Sequence, residues 1–148
     1  MRCVKHTHDL AILDIWTKYN YLTNRNLKAT MPYKYACFIS YRHRGTYMEN
    51  FVRKLTKSLS NALQIELAND EEVYLDEDRL QIGNIVDAKI AEAIKQSCCM
   101  IVIYTRSYLN KLHPYCAREL ATMIKLETRR REGMDKDDLS LIIPILLS

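Results

Sequence analysis

Apolar runs of strand length alternate along this chain with stretches whose apolar residues recur at every third or fourth position. "KYACFISY" (34–41) is the first run, rich in aromatics and bounded by the charged, glycine-containing "RHRGT", which reads as a buried strand leading into a loop. Thr46-Tyr47-Met48-Glu49 then has the spacing of a capping box, in which Thr and Glu side chains satisfy each other's end-of-helix amides, and predicts a helix from Tyr47. Met48, Phe51, Val52, Leu55, Leu59 and Leu63 follow at helical intervals, with Arg53, Lys54 and Lys57 on the opposite face. "EVYL" (72–75) is a second strand, and "NIVDAKIAEAIKQS" carries Ile85, Ile90 and Ile94 at helical spacing after Gly83.

"CCMIVIY" (98–104) is too short for a helix and apolar on both faces, as suits a central parallel strand covered from each side. Pro114 stands where a first helical turn tolerates a missing N–H, and Gly133 where a helix of about 18 residues would end. "LSLIIPILL" closes the pattern, with Pro144 removing one ladder donor and demoting that strand to an edge or a strand end. Strands alternating with helices predict a doubly wound parallel sheet, because each return to the same edge needs a crossover helix. Ligands of such sheets bind outside the carboxyl ends of the strands, where strand order reverses. Ser40 to Arg44, Asp76 to Arg79 and Thr105 to Ser107 all follow strands directly, so polar residues collect along that edge.

Composition narrows the classes. At 148 residues with 48% hydrophobic content the chain makes one compact domain. No apolar stretch approaches the roughly 20 residues of a membrane span. Asp14 interrupts the run from Leu10 to Leu13, so the first residues lack the apolar core of a secretion signal, and a cytoplasmic location is expected. Five cysteines agree with that: the count is odd, and Cys37, Cys98 and Cys99 lie within apolar runs as reduced, buried small hydrophobes. A net charge of +4 (22 basic, 18 acidic) without a basic stripe argues against nucleic acid. His6 and His8 are near a terminus while His43 and His113 stand alone, so no metal site is expected. The "RRRE" run at 129–132 suits the negative end of its own helix.

Other users of such sheets fit poorly. A phosphoacceptor regulator would want an aspartate at the end of the third strand, which instead ends Tyr104-Thr105-Arg106. A dinucleotide-binding dehydrogenase would want a glycine-rich turn after the first strand, where only Gly45 occurs. No local hydrolase signature is present.

"YACFISYRHRG", "VYLDEDRLQIGN", "CMIVIYTRSYL" and "HPYCAREL", in that order and followed by "LIIPILL", resemble the successive boxes of a Toll/interleukin receptor (TIR) domain. The resemblance implies a flavodoxin-like fold over residues 32–148, with helices on both faces of the sheet, and residues 1–31 as an N-terminal extension or linker. The family usually carries a fifth strand and helix after the last box, so the expected domain lacks them. Many receptor-type members have a proline before the glycine of the loop after the second strand, where this chain reads "DRLQIGN".

TIR domains are either scaffolds that bind other TIR domains or enzymes that cleave the nicotinamide–ribose bond of NAD+, which is substrate and not cofactor. The resemblance to the prokaryotic-type enzymatic branch implies an NAD+ nucleosidase, a glycohydrolase or ADP-ribosyl cyclase, acting in immune or anti-phage signalling. The alternative is a non-catalytic TIR–TIR interaction scaffold. In the enzymes a glutamate on the helix after the third strand is essential, with an aromatic residue four positions earlier. The matching pair is Glu119 and Tyr115, whose spacing puts both on one helical face. Nicotinamide leaves as a neutral group without a general acid, whereas the ribosyl oxocarbenium ion gains from a nearby carboxylate. A glutamate early in a helix is otherwise simply solvated and favourable to the helix dipole.

The resemblance further implies substrate contacts from Ser40, Tyr41, Arg42 and His43 on the loop after the first strand, Arg42 through its fork of donors. Arg42 and His43 could equally pair with the acidic "DEDR". Asp76 matches an acidic residue that orients the loop or a ribose, or it caps the following turn. The expected partners are NAD+, further TIR domains and a separate or fused sensor, with no membrane or nucleic acid. "DEDRLQIG" is expected to cover the strand-end cleft in an isolated chain and to be drawn aside on assembly.

Overall fold

The computed structural model describes residues 33–43, 45–67, 72–75, 84–112, 114–132 and 140–147. Seven elements succeed one another: β1 (Tyr35–Tyr41), α1 (Gly45–Leu67), β2 (Glu72–Leu75), α2 (Asn84–Lys95), β3 (Ser97–Tyr104), α3 (Tyr115–Arg130) and β4 (Ile142–Leu146). The strands form one parallel sheet in the order β2-β1-β3-β4. That is the flavodoxin-like α/β order: the chain steps from β1 to β2 on one side, then crosses back to β3 on the other. Right-handed crossovers in opposite directions put α1 on one face and α2 with α3 on the other.

The two central strands are the apolar ones. β3 is buried from Ser97 to Ile103, and β1 from Ala36 to Tyr41, because each is flanked by strands in the sheet plane and by helices above and below. Phe38, Ile39, Met100, Ile101 and Ile103 make the middle of the core, joined by Leu59 and Leu63 of α1, Ile94 of α2 and Met123 of α3. Pro144 lies in β4, opposite Val102, at the side of the sheet where a missing donor costs least. Cys37, Cys98, Cys99 and Cys116 are buried free thiols. Burial raises the thiols of Cys37 and Cys99 above their ordinary range, and neighbouring sulfurs add to this.

Two helix boundaries depart from the sequence pattern. α1 begins at Gly45, not Tyr47, and Gly45 has a φ of 76°, in the left-handed region that glycine enters without a Cβ penalty. The chain thus turns into the helix through glycine geometry, and Thr46 lies inside the first turn and not at its cap. α3 stops at Arg130, short of the expected Gly133, which lies outside the described residues. Arg130, the last residue of α3, reaches the neighbouring elements. Its guanidinium donates to the carbonyls of Ser97, Cys98 and Lys95 at 2.9, 3.1 and 2.8 Å and lies 4.6 Å from the Tyr33 ring centroid. The arginine run does more than complement its helix dipole: it clamps α3 to the end of α2 and the start of β3.

Candidate functional site

Parallel pairing brings the carboxyl ends of all four strands to one edge, and strand order reverses between β1 and β3. Ser40 and Tyr41 occupy the end of β1, level with Val102 and Ile103 of β3. They are strand residues, not residues of the following loop as the sequence pattern suggested, because β1 keeps its pairing with β3 through Tyr41. Ser40 is fully buried. Its hydroxyl lies 2.6 Å from Glu119 Oε2 and 2.7 Å from the hydroxyl of Tyr108.

Glu119 reaches Ser40 because α3 starts at this edge and runs back across the sheet. Pro114 stands at its N-cap position with no side-chain cap, and one turn later the helix presents Cys116 and Glu119 inward. The Cys116 thiol contacts the Tyr41 carbonyl at 3.4 Å, fixing the helix start on β1. Only 3% of Glu119 is exposed. This overturns the alternative of a solvated carboxylate serving only the helix dipole, for a buried charge needs donors around it.

Glu119 also lines a groove of about 190 Å³ between α2 and α3. Ile90, Ala91 and Ile94 make its apolar wall, and Tyr115, Arg118, Glu119 and Thr122 the polar one. Tyr115 is half exposed on the same helical face as Glu119, as the spacing required. The volume is below the roughly 300–1,000 Å³ of a site that encloses a whole drug-sized ligand. It takes one ring-sized group, with any remainder lying across the surface.

A family model described as a TIR domain matches residues 37–148. The chain belongs to the TIR domain family. Members of that family serve in signalling and associate with one another through TIR–TIR contacts. No curated protein and no solved structure gives a significant match. In this TIR domain no helix among the described residues is long and apolar enough to cross a membrane.

The remaining residues singled out in the sequence are distributed unevenly. Arg42 donates through Nη1 to the Ser107 carbonyl at 2.6 Å and so joins the end of β1 to the turn after β3. His43 stacks on Tyr41 at 4.2 Å between ring centroids, with Nδ1 3.3 Å from the Tyr41 hydroxyl. Asp76 and the whole "DEDRLQIG" segment lie outside the described residues. Tyr108 and Arg118 were not singled out by the pattern. Arg118 carried a usable signal, since it directly precedes Glu119 on the helix. Tyr108 carried none, because what its hydroxyl meets is set by β1, 68 positions away.

Proposed function

We propose that this TIR domain cleaves the nicotinamide–ribose bond of NAD+, with Glu119 as the carboxylate that meets the sugar. What carries the reading is one buried carboxylate, bonded to the end of β1, on a residue that also lines the groove between α2 and α3. The C–N bond to nicotinamide breaks heterolytically, its electron pair stays on the departing ring nitrogen, and the positive charge remains on the ribosyl carbon. A fixed anion in a partly desolvated groove stabilises that charge more than water does. The apolar wall of Ile90, Ala91 and Ile94 and the ring of Tyr115 suit a flat ring or the face of a sugar. The oxocarbenium ion is then quenched by water, by the adenine of the same molecule or by another base, giving hydrolysis, cyclisation or exchange.

Self-assembly is part of the proposal, the active species being a TIR oligomer brought together by a sensor. The test is to incubate concentrated protein with NAD+ and separate nicotinamide, ADP-ribose and cyclic products, with Glu119→Gln beside the wild type. Nicotinamide release that rises more steeply than linearly with protein concentration and vanishes in E119Q supports the reading. Self-association without nicotinamide release at any concentration makes the domain a scaffold.

A further inference from the structure

Three buried groups from separate parts of the chain meet in a line: the Tyr108 hydroxyl, the Ser40 hydroxyl and the Glu119 carboxylate. Tyr108 and Ser40 are both 0% exposed. Each hydroxyl has one proton to give, and an ionised carboxylate can only accept. Ser40 therefore donates to Glu119 Oε2 at 2.6 Å, and its oxygen then accepts from Tyr108 at 2.7 Å. The Cys116 carbonyl is a poorer acceptor for Tyr108, at 3.4 Å. Donors aligned in this way polarise one another.

We infer that Tyr108 and Ser40 are positioning residues, a directed hydrogen-bond chain that holds the Glu119 carboxylate in one orientation beside the groove. This rests on the reading of Glu119 as the carboxylate that meets the sugar. The chain favours the ionised carboxylate, because a short donor at Oε2 opposes the burial that disfavours it. It also fixes orientation, since β1, the turn after β3 and α3 each contribute a group. Among the described residues, the titratable and charged groups beside Glu119 include Tyr108 from the turn and Tyr115, Cys116 and Arg118 from its own helix. From α2 the groove wall takes Ile90, Ala91 and Ile94, and β1 supplies Ser40.

The test uses the full chain with Ser40→Ala, Tyr108→Phe, the double variant and Ser40→Thr. Two readouts are taken: the titration of Glu119 by carboxyl carbon NMR, assigned by the resonance missing from E119Q, and nicotinamide release with KM and kcat separated. Removing the Ser40 hydroxyl, a donor to the carboxylate, is expected to raise the Glu119 titration midpoint. The acid limb of kcat follows it upward, and kcat falls roughly tenfold or more with KM little changed. Tyr108→Phe shifts both in the same direction by less, Ser40→Thr restores most of the loss, and the double variant is no worse than Ser40→Ala. Folded Ser40→Ala and Tyr108→Phe proteins with unchanged titration and kcat overturn the inference, as do effects that simply add. Should Ser40→Ala fail to fold, Tyr108→Phe and Ser40→Thr decide alone. A wild type that releases no nicotinamide defeats the enzyme reading instead, and the titration then decides the chain by itself.

Discussion

Arg42 and Ser107 are 65 positions apart, yet the arginine Nη1 lies 2.6 Å from the serine carbonyl. The contact ties the end of β1 to the turn after β3 at the carboxyl edge of the sheet. Tyr108 follows Ser107 directly, so the same tie steadies the turn that carries the hydroxyl beside Ser40.

Arg42→Met removes a charge-assisted bond whose loss costs about 1–2 kcal/mol. Thermal unfolding is expected several degrees lower, with faster amide exchange concentrated at residues 105–110. Arg42→Lys recovers only part, because an ammonium does not reproduce the planar fork. Equal exchange in wild type and Arg42→Met would show that the turn holds itself.

Glutamine and alanine at position 119 are expected to part company. Glu119→Gln keeps an acceptor for Ser40 and nearly the same volume, so the protein unfolds close to the wild-type temperature while nicotinamide release is lost. Glu119→Ala leaves the buried Ser40 hydroxyl without its acceptor and opens a void, a destabilisation of about 2–3 kcal/mol. Urea unfolding of the pair checks it.

Arg130 makes its bonds to three backbone carbonyls belonging to α2 and β3. Arg130→Met is expected to lower stability by about 2–4 kcal/mol, since carbonyls lose a charged donor. Tyr33 supplies a local reporter. Burial pushes its phenol above the ordinary 10.0 and the Arg130 charge draws it partly back. In Arg130→Met, phenol ionisation followed by ultraviolet absorbance moves to still higher pH. A shift downward would mean that Arg130 does not lie over Tyr33.

The buried thiols set an alkaline limit. Cys37 and Cys99 are raised by burial above the ordinary 9.0, so the native state holds their protons more tightly than the unfolded chain does. Their stabilising contribution is whole below pH 9.0 and declines as pH rises past it, where unfolded thiols ionise. Urea midpoints measured from pH 8 to 10 should fall, and the fall should be smaller in Cys37→Ala. Cys37, Cys98, Cys99 and Cys116 should also resist a thiol reagent until the protein unfolds.

How much of this was legible beforehand depends on the distance over which each feature is decided. Apolar runs and helical spacing are local, and they placed β1, β2, β3, the three helices and the edge strand with Pro144, because burial of a face requires the matching period in the sequence. The order of boxes carried the family, and the spacing from Tyr115 to Glu119 carried the shared helical face. Boundaries were less secure where a single residue decided them: the φ of Gly45 overrode the capping pattern at Thr46. The burial of Glu119, the turn of Ser40 inward and the part of Tyr108 belong to tertiary structure alone. A hydroxyl or a carboxylate has no period to announce its partner, and the partner of Ser40 is chosen by which helix crosses the end of β1. The chain determined a parallel sheet with its polar edge and one glutamate near it; only folding decided that the glutamate would be buried, held by a serine and set at the wall of a groove.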